Sequence, residues 1–169
     1  GTQLKIEPQS ISLISAHSGK GKSTLLHLLY GLRKDYSGEV LIDGENIQKK
    51  NASDWTLLRK QKISLLFQEL RLFSKLNAQE NIELIPEVNP HGPSEMEMAK
   101  QLGMADFLNQ PVQTLSFGQR QRIALIRTLC KPFNLLLLDE PFSHLDQENI
   151  NLASSLINEV AEGNQATVL

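Results

Sequence analysis

One short segment, GKGKST at residues 19–24, combines the residue types that hold a nucleotide phosphate. Small residues at positions 18, 19 and 21 allow the backbone to wrap closely, so that successive N–H groups point inward at an anion. Lys22 is then expected to reach the β- and γ-phosphates, and the Ser23 hydroxyl to coordinate Mg²⁺. The segment matches the end of the pattern G-x-x-x-x-G-K-[ST], with Ala16 in place of its first glycine. The predicted phosphate-binding residues are Ser18, Gly19, Lys20, Gly21, Lys22, Ser23 and Thr24.

Two adjacent carboxylates, Asp139 and Glu140, directly follow a run of four leucines. An uninterrupted apolar run is typical of a strand covered on both faces, and ligands bind at the carboxyl ends of such strands in open α/β sheets. We expect Asp139 to bind Mg²⁺ and Glu140 to act as a general base that polarises water for attack on the γ-phosphate. Because one carboxylate cannot easily do both, the pair indicates hydrolysis rather than binding alone.

A second candidate anion site lies in LSFGQRQRIALIRTLC, where a helix is predicted to begin after Ser116. Serine often caps helices, because the first backbone N–H groups of a helix have no partner inside it. The same donors and the partial positive charge of a helix start also attract anions. For an isolated serine, capping alone is the expected role.

Strands and helices alternate around these motifs. The first part of the chain is predicted to contain a strand at residues 10–16, a helix stopped by Gly31, and a strand at 40–43 closed by an Asp43-Gly44 turn. A short helix capped by Ser53 follows, and then a buried strand that ends near Gln68.

The predicted secondary structure changes between residues 69 and 114, where the sequence predicts helices without strands. NAQENIELI reads as a helix up to Pro86, and a loop rich in proline leads to a capping box formed by Ser94 and Glu97. After residue 115 the alternation returns with the helix after Ser116 and the leucine strand. A helix at 147–162 and the opening of a buried strand in QATVL complete the pattern.

Composition excludes several classes of protein. The 169 residues carry a net charge of −2 without a long basic run, which argues against binding to nucleic acid. The single cysteine, Cys130, excludes a disulfide framework within the chain and a site with several cysteine ligands, and is expected to be a small buried hydrophobe. No run approaches the roughly 20 apolar residues of a membrane span. We expect a soluble, cytosolic protein.

Taken in order, the segments SGKGKST, LLFQE, LSFGQRQR, LLLLDEP and SHLD resemble the five motifs of the ATP-binding cassette (ABC) ATPases. The resemblance covers nearly the whole chain. It implies an α/β fold: a RecA-like P-loop NTPase core with a mainly parallel sheet, formed by residues 1–68 and 115–169. Residues 69–114 would then be the small helical subdomain that meets a membrane permease.

The resemblance also implies roles for further residues. LSFGQ is similar to the signature L-S-G-G-Q, whose helix start faces the γ-phosphate of ATP held by a second cassette. Ser116 would offer its hydroxyl, Gly118 its backbone N–H, and Gln119 a polar contact. Gln68 would contact Mg²⁺ and the attacking water, and Asp146 would lie on a loop that crosses to the partner. ATP would thereby join a head-to-tail homodimer or heterodimer.

The sequence departs from the family pattern in several places. Phe117 replaces the first glycine of the signature, and His144, expected to be an exposed loop histidine, stands where alanine is common. The switch histidine of the family falls just beyond ATVL, and the aromatic residue that stacks on adenine falls upstream of residues 1–15. These absences imply an incomplete cassette, trimmed at both ends, which is expected to bind nucleotide weakly and hydrolyse it poorly.

The function implied is that of the ATP-binding subunit of an ABC transporter, on the cytoplasmic face of the membrane, with ATP and Mg²⁺ as ligands. The segment LRKQKISLLFQELRLFSKLNAQENIEL is most similar to cassettes of lipoprotein release, macrolide export and cell division. One alternative is an ABC ATPase that does not serve transport, although the chain has no long heptad repeats. Another is a module that uses ATP only to dimerise or to regulate.

Overall fold

The fold is described from a computed structural model, and the description covers residues 4–15, 17 and 21–169. The helices are α1 (Lys22–Leu29), α2 (Ala52–Gln61), α3 (Ala78–Glu83), α4 (Glu95–Gln101), α5 (Phe117–Leu129) and α6 (Gln147–Gly163). The strands are β1 (Leu41–Ile42), β2 (Glu45–Asn46), β3 (Ile63–Leu66), β4 (Leu135–Leu138) and β5 (Thr167–Val168). Short 3₁₀ turns occupy Ile47–Lys49, Ala105–Phe107 and Val112–Thr114.

A parallel sheet in the order β3-β4-β5 forms the centre of the molecule. Successive residues of a strand point to opposite faces, and both faces of this sheet are covered. Leu136 packs into one hydrophobic cluster and its neighbour Leu137 into the other, and both are fully buried. The leucine run is therefore buried on two sides, as predicted, and the α/β class is confirmed.

The strand predicted at residues 10–16 is largely absent. In the described part of this segment, only Ile11 forms a bridge, parallel to Val168, with backbone hydrogen bonds from Ser12 N to Val168 O and from Val168 N to Ser10 O. The neighbouring strand β5 is two residues long, so it supports only this short pairing. Leu13 beyond it is 92% exposed. Ala16 lies outside the described residues.

The predicted turn at Asp43-Gly44 is confirmed. Both residues have positive φ, 51° and 77°, as a two-residue turn between antiparallel strands requires. The strand before it is shorter than predicted, since β1 covers only Leu41–Ile42.

The sequence predicted the N-caps of α2 and α4, and only one of the two predictions is correct. The prediction that Ser53 caps α2 is wrong, because Asn51 is the cap: its side chain accepts from Ser53 N and Asp54 N, while Asp54 accepts from Asn51 N. The predicted box at the start of α4 is confirmed, with Ser94 as the cap and Glu97 as its partner.

Helix α1 ends where the sequence predicted. Tyr30 is the C-cap of the helix, and Gly31 follows with φ 73°. A side chain at position 31 would also collide with Trp55, whose ring atoms lie 2.4 Å from where a Cβ would stand. Gly31 is thus required both by the backbone conformation and by the close approach of α2.

Residues 69–114 contain α3, α4 and two 3₁₀ turns, and no strand lies among them. These helices do not have a core of their own. Ile82 and Met98 belong to the same buried cluster as Ile126 of α5, Leu156 of α6 and Leu136 of the sheet. The division of the chain at residues 68 and 115 remains a prediction.

Cys130 ends α5 and is buried, as expected for a small hydrophobic residue. Burial raises the pKa of its thiol to about 12, so the reactive thiolate is disfavoured at neutral pH. Among the residues described, no helix has the length and apolar character needed to cross a bilayer.

Candidate functional site

The carboxyl edge of the parallel sheet brings two predicted residues together. Leu66 of β3 and Leu138 of β4 are in register, so Gln68 and Glu140 stand at equal distances beyond their strands. The Gln68 Nε2 atom donates to Glu140 Oε2 over 3.3 Å, and both side chains are exposed. The pair therefore occupies the edge at which open α/β sheets bind ligands.

Asp139 lies between the strand and this pair and is only 4% exposed. Its backbone N–H donates to Leu66 O over 3.0 Å, which extends the β3–β4 ladder by one bond. The peptide is thereby fixed, and the carboxylate is held at the edge of the core.

A cavity of about 200 Å³ joins this edge to helix α1. Lys22, Asp139 and Glu140 all line it, although the chain separates the lysine from the two acids by more than a hundred residues. The remaining lining residues are Ser12, Leu13, Ile14, Leu26, Leu138, Pro141 and Leu169. One cationic and two acidic groups thus meet at one opening.

Helix α1 begins at the other end of the phosphate motif. Gly21 is its N-cap with φ 90°, a conformation that favours glycine, and Leu25 N donates to Gly21 O. Lys22, Ser23 and Thr24 form the first turn, where backbone N–H groups have no acceptor within the helix. Such a helix start suits an anion. The predicted residues Ser18, Gly19 and Lys20 lie outside the described residues.

The donor set suits Mg²⁺ better than a transition metal. Ser23, Asp139 and Gln68 offer hydroxyl, carboxylate and amide oxygens, which are the hard ligands that Mg²⁺ prefers. Over the described ranges, no group of three or more His, Cys, Asp and Glu side chains is placed to hold a metal ion. A metal at this edge would therefore share its coordination with phosphate oxygens and water.

Ser116 caps helix α5 in a reciprocal arrangement with Gln119. The Ser116 hydroxyl accepts from Gln119 N over 3.2 Å, and the Gln119 side chain accepts from Ser116 N over 2.8 Å. Capping, the simpler of the two roles weighed for Ser116, is confirmed. The hydroxyl keeps its own proton to donate, and Ser116 is exposed.

The loop after β4 packs against this helix start. A Cβ on Gly118 would lie 2.9 Å from His144 O, so glycine permits the close approach. The Phe117 and His144 rings are in contact, with centroids 3.9 Å apart and ring planes tilted by 40°. His144 is exposed, as predicted, and the Ser143 hydroxyl lies 2.8 Å from its Nδ1.

Asp146 ends the same loop as the cap of α6. Its carboxylate accepts from Asn149 N and Asn149 Nδ2, both over 2.9 Å, and these bonds hold its pKa below the usual range. Asp146 is exposed on the surface.

The predicted residues thus form two groups within one chain. Lys22, Asp139 and Glu140 share the cavity at the sheet edge, with Gln68 bonded to Glu140. The described residues that line this cavity include none of the second group, which consists of Ser116, Gly118, Gln119 and Asp146.

Two polar residues of α5 were missed by the sequence analysis. Gln121 is only 2% exposed and donates to the carbonyl oxygens of Glu140 and Pro141. Arg127 donates to the carbonyl oxygens of Leu70 and Arg71, and burial lowers its pKa. One signal was available: Gln121 lies four residues before Leu125, on the face of α5 that the apolar periodicity buries.

Comparison of the sequence with known proteins matches this chain to one family. The family model described as ABC transporter matches residues 1–143. The lipoprotein-releasing system ATP-binding protein LolD of Buchnera aphidicola subsp. Schizaphis graminum is 36% identical over 162 residues, covering 93% of this chain and 71% of LolD. The thiamine import ATP-binding protein ThiQ of Vibrio parahaemolyticus is 37% identical over 172 residues, covering 99% of this chain and 71% of ThiQ.

Solved structures give the same grouping. The dimeric structure of MJ0796, a bacterial ABC transporter cassette, superimposes with a TM-score of 0.83 at 30% identity, covering 98% of this chain and 76% of that one. A dimeric post-hydrolysis state of the same cassette, bound to ADP and Pi, matches with a TM-score of 0.83 at 31% identity, covering 98% and 75%.

Proposed function

This chain belongs to the ABC transporter family, as a nucleotide-binding domain with the P-loop NTPase fold, and we propose that it binds and hydrolyses Mg-ATP in a head-to-tail dimer to drive a separate membrane permease. One observation carries the proposal. Lys22, Asp139 and Glu140 line a single cavity, Gln68 is bonded to Glu140, and the exposed cap at Ser116 lies outside that cavity.

The chemistry follows from the residues at the sheet edge. Lys22 and the first-turn N–H groups of α1 would bind the β- and γ-phosphates. Mg²⁺, held by Ser23, Asp139 and Gln68, would neutralise charge on the phosphate oxygens. Glu140 would accept a proton from water as the water oxygen bonds to the γ-phosphorus and the bond to the β–γ bridging oxygen breaks. The products are ADP and inorganic phosphate.

Separation of the two groups supports a site completed by a second chain. The α5 cap is exposed and carries a hydroxyl that can still donate, which suits the γ-phosphate of a nucleotide held by another copy. Gly118 would add a backbone N–H, Gln119 a polar contact, and Asp146 a contact across the dimer. The dimeric relatives of known structure support this arrangement.

A permease partner is supported by a groove of about 570 Å³ between α2, α5 and the residues around Pro86. Phe73 and Leu84, at 60% and 51% exposed, give it an apolar rim. Arg59 and Lys131 in the groove donate to backbone carbonyls, and among the described lining residues there is no Asp or Glu. The groove therefore suits an amphipathic segment with acidic side chains, which would hold the chain at the cytoplasmic face of the membrane.

The relatives leave the cargo open, because lipoprotein release and thiamine import are served by proteins of nearly equal identity to this chain. The resemblance to lipoprotein-release, macrolide-export and cell-division cassettes therefore stays a prediction.

The direct test is to measure Mg²⁺-dependent phosphate release and ATP-dependent dimerisation of the purified protein by enzymatic assay and light scattering. We expect turnover that depends on Mg²⁺ and a dimer that requires ATP. Binding of ATP without either response would contradict the proposal, and ATP-dependent dimerisation without turnover would favour the module that uses ATP only to dimerise.

A further inference from the structure

The buried amide of Gln121 is an unusual feature of helix α5. Its side chain is only 2% exposed. Burying a polar side chain costs free energy that an apolar side chain at the same position would not. Both donated bonds go to carbonyl oxygens, to Glu140 O over 3.0 Å and to Pro141 O over 2.5 Å. Because two acceptors face the amide, the NH₂ group must point toward them.

The oxygen atom of the Gln121 amide indicates the role of this side chain. Among the described residues, the Gln121 Oε1 atom is buried without a hydrogen-bond partner. A buried acceptor without a partner is destabilising, so packing alone gives no reason to place glutamine here. The amide is accounted for by the two carbonyls that its NH₂ group holds.

Those carbonyls belong to a strained piece of backbone. Glu140 has φ 52°, in the left-handed region that residues with a side chain rarely adopt. Such conformations persist when surrounding contacts hold them, and they concentrate at functional sites. The conformation of Glu140 sets the direction of its carboxylate, which lies 3.3 Å from Gln68 Nε2.

Helix α5 also reaches the segment that follows Gln68. Arg127 donates to Leu70 O over 2.6 Å and to Arg71 O over 2.9 Å. Leu70 and Arg71 both have positive φ, 58° and 49°. Gln121 and Arg127 lie about 9 Å apart along the helix axis, at 1.5 Å per residue. One rigid helix thus holds the strained segments next to both members of the Gln68–Glu140 pair.

We propose that Gln121 is a positioning residue for hydrolysis, which fixes the backbone of Glu140 and ties it to the helix whose first turn meets the partner's nucleotide. The inference rests on the proposed function. In a head-to-tail dimer, Ser116 serves the nucleotide of the other chain, whereas Glu140 serves the nucleotide of its own chain. Gln121, about one turn into α5, therefore connects the two nucleotide sites of the dimer.

The test compares Gln121→Leu and Gln121→Met with wild type and with Gln101→Leu. Gln101 also bridges two elements, donating to Glu159 over 3.3 Å, but it is exposed and is not among the residues that line the cavity at the sheet edge. We expect both Gln121 variants to lower kcat about 10- to 100-fold, the scale of effect that follows a small misplacement of a catalytic group. KM for ATP should stay within about twofold of wild type. Gln101→Leu should leave both constants unchanged.

The second readout separates positioning from a merely structural role. In a background that carries Glu140→Gln, the Gln121 variants should form the ATP-dependent dimer with unchanged affinity. Loss of dimerisation in parallel with kcat would overturn the proposal, and so would an unchanged kcat. If Gln121→Leu does not fold, Gln121→Met decides, because it has nearly the volume of glutamine, lacks the two donors and adds no buried charge. A wild-type protein that neither hydrolyses ATP nor dimerises contradicts the proposed function itself, which is a separate result.

Discussion

Gln68 and Glu140 are joined across two neighbouring parallel strands, with Gln68 Nε2 3.3 Å from Glu140 Oε2. The contact follows from the register of β3 and β4, since Leu66 pairs with Leu138 and each side chain stands two residues further on. An amide and a carboxylate at this spacing can both bond one water molecule, the amide through its oxygen or its NH₂ group and the carboxylate as a base.

Glu140→Gln should abolish turnover while leaving nucleotide binding intact. The amide cannot accept the water proton, and general-base catalysis typically contributes about 10²- to 10⁴-fold, so we expect kcat to fall by that amount. ATP-bound dimer should accumulate, as measured by light scattering with Mg-ATP. Glu162→Gln, an exposed carboxylate on α6, is the matched control. A turnover rate that Glu140→Gln leaves unchanged would show that Glu140 is not the general base.

Ser116→Ala and Ser94→Ala separate the capping role of Ser116 from its ligand role. Both serines cap helices with a reciprocal partner three residues on, so each substitution should destabilise the fold by about 1 kcal/mol in denaturant unfolding. Only Ser116→Ala should weaken ATP-dependent dimerisation, by roughly 10-fold or more, because a hydrogen bond to a charged group contributes about 1.5–3 kcal/mol. Equal effects of the two substitutions on dimerisation would leave Ser116 as a cap and nothing more.

Phe117 and His144 should stabilise each other. Their ring centroids lie 3.9 Å apart with the ring planes tilted by 40°, and aromatic pairs contribute about 0.5–1.5 kcal/mol beyond burial. Since His144 is exposed, we expect a coupling energy of about 0.5 kcal/mol from a double-mutant cycle of Phe117→Ala and His144→Ala, measured by denaturant unfolding. Additive single effects would show that the rings are neighbours without energetic coupling.

Lys131 should make stability depend on pH in the alkaline range. Burial lowers the pKa of its ammonium from 10.5 to about 8, with a further contribution from nearby Arg59. Between pH 8 and 10.5 the unfolded chain holds this proton and the folded chain does not, so stability rises with pH there. After allowance for partial exposure, the gain is about 1–3 kcal/mol relative to Lys131→Met.

The comparison of wild type with Lys131→Met isolates this effect from other groups. The Cys130 thiol, whose pKa is raised to about 12, acts with the opposite sign above pH 9, because the folded chain keeps a proton that the unfolded chain loses. That contribution is the same in both proteins and cancels. The free energies of unfolding of the two proteins are measured at pH 7, 8, 9 and 10. If their difference does not change with pH, Lys131 is not buried and desolvated.

The parts of this molecule that the sequence predicted are those set by local patterns. A run of four leucines implies burial on both faces, and the Asp43-Gly44 pair implies the turn that the structure contains. The edge at which Asp139 and Glu140 stand follows from the same reasoning, since a strand followed by acids places them at its carboxyl end.

Other features depend on neighbours that a local pattern does not contain. Ser53 was expected to cap α2, but Asn51 competes for the same donors and gains Asp54 as its reciprocal partner. A strand was predicted at residues 10–16, but the structure has only a bridge at Ile11, because the neighbouring strand β5 has only two residues to pair with. Gln121 and Arg127 were missed because their acceptors are backbone carbonyls of distant segments, which sequence spacing does not bring together.

The central claim is that each nucleotide is bound by the Lys22 loop of one chain and the Ser116 helix start of the other. A mixture of two impaired variants, Lys22→Ala and Ser116→Ala, tests it most directly, at a protein concentration where neither variant alone shows turnover. In a mixed dimer, Lys22 of one chain meets Ser116 of the other, and one complete site is restored. Random pairing of independent sites should therefore return about a quarter of wild-type ATP turnover. If the mixture stays as inactive as each variant alone, the two motifs do not share a nucleotide across the dimer, and the account is wrong.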